Sequence, residues 1–134
     1  MKYSVDYSIS VLFIFALTIF PNHSYVVAQP NFLPFAEIWE LLTQKPFGDF
    51  LYNFFGNIIL FVPFGFFYPL RFPKRNRMAQ VVTAGLLLSV TVECIQTMQP
   101  ARMTDIDDVI LNTAGTWAGY KLSYFYSTII KGRN

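Results

Sequence analysis

Little in this chain can carry charge. Asp, Glu, Lys and Arg make up 13% of its 134 residues, against about 25% in a typical soluble domain. There is one histidine and one cysteine. A lone cysteine, Cys94, excludes an intrachain disulfide and any multi-cysteine metal centre; set in an apolar run, it reads as a buried, inert thiol. His23 lies between apolar segments and reads as incidental. The net charge of +2 is too small to argue for a nucleic-acid partner. No phosphate-cradling glycine loop, nucleophile elbow or HExxH motif occurs. Three or four carboxylates could together hold a hard divalent cation, but their spacing is not diagnostic. No metal and no cofactor is assigned.

What the chain has instead is apolar surface. Hydrophobic residues make up 54% of it, with 15 Phe, 8 Tyr and 2 Trp. A soluble bundle of this length would lack the polar residues to cover its outside. Four apolar runs stand out, at about 3–21, 50–70, 79–98 and 109–128, and runs of ~20 residues cross a ~30 Å hydrocarbon core. The first is the shortest at its centre. Lys2 ahead of it and Val26-Val27-Ala28 behind it resemble a secretory signal with a small-residue cleavage site. A retained span is preferred, because the basic leader is thin and the chain that follows is itself membranous.

Lys and Arg set the direction. Lys2, the Arg71, Lys74, Arg75 and Arg77 group, and Lys121, Lys131 and Arg133 share one side; only Lys45 and Arg102 fall on the other. Both termini and the 71–78 loop are therefore expected in the cytoplasm. In the long outer connection Pro34 can open a helix, with Phe35, Ile38, Trp39 and Leu42 on an apolar face and Glu37, Glu40 and Gln44 opposite. That pattern fits a helix lying in the membrane interface, or a lid over the bundle. The expected fold is an all-α integral membrane protein, a four-helix transmembrane bundle with a short amphipathic helix in its first outer loop. Residues 1–134 form one domain.

Polar residues inside such runs are costly, at about 2.5–3.5 kcal/mol for a charge at mid-membrane. Asn53 and Asn57 open the second run. Glu93, Gln96, Arg102, Asp105, Asp107, Asp108 and Asn112 follow around the third and fourth. All fall in the outer third of the membrane or just above it. Gly85, Ser89, Glu93 and Gln96 share one helical stripe, as do Asp108, Asn112, Gly115 and Gly119. Gly115 and Gly119 form a GxxxG pattern that lets helices approach closely. Packing below and polar groups above imply an outward-opening pocket, walled by Asn53 and Asn57 and widened by a kink at Pro63. Structural roles compete. Thr104 and Asp107 resemble a capping box, Asn57 and Asn112 can be interhelical glue at ~0.6 kcal/mol apiece, and Glu93 and Arg102 can neutralise each other.

Four of these segments carry a family resemblance. Asn31-Phe-Leu-Pro-Phe35, Gly56-Asn57-Ile-Ile-Leu-Phe-Val-Pro-Phe-Gly65, Glu93-x-x-Gln96 and Arg102-x-x-Asp105-x-Asp107-Asp108-x-x-x-Asn112-Thr-x-Gly115 resemble the VanZ-like membrane protein family. The family pattern reads NLIPF, GNxxLFxPxG, ExxQ and RxxDxDDxxxNTxG, and only the first departs, as NFLPF. The match runs in register over 31–120. The resemblance implies a bacterial plasma membrane protein, in a family named for reduced susceptibility to teicoplanin, a glycopeptide with an acyl chain.

Three functions are carried forward. In the first, the outward polar site binds or senses an amphiphilic envelope lipid or lipoglycopeptide through Asn57, Glu93, Gln96, Arg102, Asp105, Asp107, Asp108 and Asn112. In the second, an intramembrane enzyme acts on envelope lipids with Glu93 or Asp108 as general base. In the third, the chain is an assembly or scaffold subunit that uses GxxxG for partners. Beyond the lipid bilayer and such a ligand, no partner or oligomeric state is read from the residues.

Overall fold

A computed structural model of the chain describes residues 3–19, 30–98 and 104–131, with Ile19 and Lys131 as backbone only. Those residues are helical: α1 (Ser4–Ile19), α2 (Ala36–Gln44), α3 (Phe47–Arg71), α4 (Met78–Thr97) and α5 (Ile106–Lys131). A 3₁₀ turn at Pro73–Arg75 joins α3 to α4. Among the described residues there is no strand, only an isolated parallel bridge between Asn31 and Asp105. The four longer helices fall on the four apolar runs. Two of them, α3 and α4, are long and apolar enough to cross a membrane. Arg102, His23 and the Val26–Ala28 segment lie outside the described residues.

The α3–α5 pair is the spine, and absent side chains make it possible. A Cβ built on Gly115 would lie 2.1 Å from the Ile58 carbonyl oxygen, and one on Gly119 would lie 2.1 Å from that of Val62. In the other direction, a Cβ on Gly65 would lie 2.1 Å from the Thr116 carbonyl. Backbone rests on backbone along two turns, as small residues permit. On α4, the stripe Gly85, Ser89, Glu93 and Gln96 is buried, as are Asn112, Gly115, Thr116 and Gly119 on α5.

Apolar side chains fill what remains. Ile14, Phe61, Phe64 and Val92 form the centre, with Tyr7, Val11 and Leu88 packed against it. Tyr7 fixes α1 to α3 by ring contacts with Phe64 at 5.7 Å and Phe72 at 5.3 Å. Large apolar side chains such as Leu12, Phe13, Ile59, Leu87 and Phe125 point outward. Cys94 departs from expectation. It is exposed, because Glu93 and Gln96 take the inward face of that turn.

The short helix also differs in detail. Pro34 does not open it; the Ala36 amide donates to the Leu33 carbonyl at 3.2 Å, and Phe35 adopts φ 66, ψ 7. These are the features of a type II turn with proline second and phenylalanine where glycine is usual. The helix starts after that turn, and Leu41 rather than Trp39 or Leu42 becomes its buried residue.

Two alanine substitutions isolate the close approach. Gly119→Ala should lower the unfolding free energy in detergent by about 2 kcal/mol or more, as expected for overpacking. Gly56→Ala adds the same methyl where nothing lies within 4 Å, and it should cost nothing. Equal effects of the two on the melting temperature would refute the packing argument.

Candidate functional site

The four motif segments meet at one end of the bundle, and the α2 entrance explains how. Phe35 supplies no capping side chain at the N-terminus of α2. The missing acceptor comes from α5. Asp107, with no exposed surface, accepts the Phe35 amide on one oxygen. Its other oxygen accepts the amides of Glu37 at 2.9 Å and Ile38 at 3.2 Å. A carboxylate at a helix N-terminus is favoured by the orphan amides and by the dipole. Here it also compensates the left-handed Phe35, a conformation costing about 1–2 kcal/mol for a residue with a side chain.

Beside it, Asp105 caps α5 itself by accepting the Asp107 amide at 2.8 Å. The cap is thus Asp105, one residue after the Thr104 of the expected capping box. Asp105 is also held by the Asn31 side-chain amide at 3.0 Å. Backbone bonds from Asn31 to Thr104 and from Ile106 to Asn31, at 3.0 and 3.1 Å, complete the bridge. Glu93 on α4, only 3% exposed, accepts the Asp105 amide at 3.1 Å.

The remaining polar residues also bind between helices. Asn57 on α3 donates to Asp108, Gln96 on α4 to the Thr18 carbonyl of α1 at 2.8 Å, and Asn112 on α5 to Ser89 Oγ at 2.9 Å. The Asn112 side-chain oxygen, Oδ1, is a buried acceptor with no donor among the described residues. Asn53 does not join the group; its amide donates to the Asp49 carbonyl of its own helix. Among the described residues, no three carboxylates, histidines or cysteines are grouped to hold a metal ion.

Two residues outside the expected set belong here. Asn31 ties the first motif to the last. Glu37, expected on the polar outer face of α2, instead turns inward onto the acids of α5. Burial, then a hydrogen bond with Asp105 and the charges of Asp105, Asp108 and Asp107, push its carboxyl from 4.5 up to about 9. Glu37 therefore holds its proton at neutral pH. The sequence signal was faint: a helix entrance with no capping residue needs an acceptor from elsewhere, and that acceptor draws the first turn inward.

The family model described as VanZ/LLP1 matches residues 7–129, which takes in all four segments. The chain belongs to the VanZ/LLP1 family. It is similar to Protein VanZ of Enterococcus faecium, with 39% identity over 66 residues. That match covers 49% of this chain and 40% of the relative's length. No solved structure matches the chain. In this VanZ-like protein the matched range takes in the residues that join α2, α3, α4 and α5 at their polar ends.

The Glu37 proton makes stability depend on pH. The folded chain keeps it up to about pH 9 while the unfolded chain releases it near 4.5, so the folded state binds more protons between those values. Stability from this group is full below pH 4.5 and lost as pH rises toward 9. Glu37→Gln, which keeps a neutral donor, should flatten the fall in melting temperature between pH 5 and pH 9. An unchanged slope would show that Glu37 is not the group responsible.

Proposed function

We propose that this VanZ-like chain is a four-span protein of the bacterial plasma membrane, with both termini in the cytoplasm and the α2 end outside. There it binds or senses the head of an amphiphile, an envelope lipid or a lipoglycopeptide. Membrane residence is supported by what α3 and α4 leave uncovered. Only 17% and 28% of their apolar windows are buried, whereas a core helix of a soluble protein is buried on most sides. The net side preference of Lys and Arg supports the direction.

One observation carries the ligand class. The half-buried carboxyls of Glu37, Asp105 and Asp108 belong to the end where the 31–39 segment is held to α5, and that segment exposes Phe32 at 69%, Leu33 at 72%, Phe35 at 61% and Trp39 at 68%. An end that combines acids with exposed apolar side chains suits a molecule with hydroxyls or an amine at one end and an acyl chain at the other. Trp39 at headgroup depth would hold that chain. Teicoplanin is such a molecule, and reduced susceptibility to it is the consequence this reading assigns to the site.

The competing readings lose support. Glu93 spends a carboxylate oxygen on the Asp105 amide and is shut off from solvent, so a general base acting on a bound lipid would have to be Asp108. The Gly115 and Gly119 face expected to receive a scaffold partner is occupied by α3 of the same chain.

Orientation and binding are tested separately. In a Cys94-free background, an impermeant maleimide applied to intact cells should label a cysteine at Lys45 and not one at Lys74; the reverse would move the site to the cytoplasmic side. Purified chain should bind teicoplanin more tightly than its deacylated form. Trp39→Ala should weaken teicoplanin about tenfold, or ~1.4 kcal/mol, without affecting the deacylated form. Equal binding of both forms by the unsubstituted chain would exclude an amphiphile.

A further inference from the structure

At the end of the bundle away from Asp107, a cavity of about 720 Å³ opens between the close of α3, the connection to α4, and α5. Asn76 and Arg77 line it on the connection, and Tyr120, Ser123, Ser127 and Thr128 line it on α5. Ser123 is 2% exposed and lies deepest. Thr128 spends its hydroxyl on the Tyr124 carbonyl at 3.0 Å, but Arg77 and the hydroxyls of Tyr120, Ser123 and Ser127 remain in the lining as donors to a small oxyanion, with none of the carboxylates that would repel it.

The surrounding charge has the same sense. Arg71, Lys74, Arg75 and Arg77 crowd the connection, and among the described residues none of them pairs with a carboxylate. Glu37, Glu40, Asp49, Glu93, Asp105, Asp107 and Asp108 all belong to the opposite end. Asp6 alone stands at this one, in the first turn of α1. Tyr124, which also lines the cavity, is 65% exposed, so the mouth carries an open aromatic ring. Basic recesses between helices at a membrane surface bind anionic head groups, and each nearby Lys or Arg adds to the attraction.

We propose that this cavity binds the phosphodiester head group of an anionic glycerophospholipid. Arg77 and the hydroxyls of Ser123 and Ser127 take the phosphate and glycerol oxygens, and the acyl chains leave the cavity past Pro69, Leu70 and Tyr124. Pro69 and Leu70 in the wall, with the exposed ring of Tyr124, favour a lipid over a free phosphate ester. The inference rests on the membrane-spanning part of the proposed function and not on the ligand of the α2 end.

Native mass spectrometry of the full chain released from mixed micelles tests it. Phosphatidylglycerol should be retained about tenfold more than phosphatidylcholine at equal mole fraction. Arg77→Gln should cut that retention about fivefold, as for the loss of one basic group near the surface. Ser127→Leu, which intrudes on the cavity from a half-buried position, should do likewise in chain whose helicity is unchanged. Glu37→Gln at the opposite end should leave retention intact, which separates this site from the other. Equal retention of the two lipids, or Arg77→Gln and Ser127→Leu without effect, would overturn the proposal. Glycerol phosphate binding as well as the intact lipid would overturn its lipid part. A chain that stays monodisperse without detergent would remove the membrane reading on which both proposals stand.

Discussion

Asp107 is a charge with no access to solvent, and the polar end of the molecule depends on how it is compensated. Burying an unpaired carboxylate would cost several kcal/mol. Three amides at the entrance of α2 meet that need. One interaction therefore does two things. It satisfies the carboxylate, and it joins a nine-residue helix, too short to persist alone, to a helix of 26. Once α2 is seated, Asn31 reaches Asp105, and Glu37 is pressed against the same acids until its proton is retained.

The lower half of the bundle makes this arrangement rigid in a different way. Where Gly65, Gly115 and Gly119 let α3 and α5 touch backbone to backbone, the two helices have one register. Asn57 is then held opposite Asp108, and α4 delivers Glu93 under the Asp105 amide. The binding surface proposed above is accordingly a by-product of satisfied structural bonds: nearly every polar side chain there, Asp105 and Asp108 included, holds a helix in place. Charge is divided between the two ends, with acids beneath α2 and cations without carboxylate partners among the described residues around the cavity at the other end.

The helices were legible because each is long and uniformly apolar, and the inward stripes on α4 and α5 followed from spacing alone. The small residues of those stripes also announced where helices meet. What spacing did not reveal is which helix each carboxylate serves. Thr104 and Asp107 looked like a local cap, yet Asp107 crosses to α2, a contact between residues some seventy positions apart. The face of α2 was misread for the same reason. A nine-residue amphipathic pattern assigns Glu37 to solvent, and only the distant acceptor turns it inward. Arg102, read as the partner of Glu93, falls outside the described residues. Cys94 was taken for a core thiol because its neighbours are apolar, although in a chain whose outside is also apolar that composition does not distinguish the two faces.

Amide hydrogen exchange read at Phe35, Glu37 and Ile38 tests the role of Asp107 most directly. These three amides begin a short, largely exposed helix, where free donors would exchange as fast as those of an unstructured loop. With Asp107 as their acceptor they should be protected to the same degree as the middle of α5. In Asp107→Ala all three should lose protection together, while the amides around Gly115 keep theirs. Rapid exchange in the unsubstituted chain, or protection that survives the loss of Asp107, would contradict the claim that this carboxylate holds the polar end together.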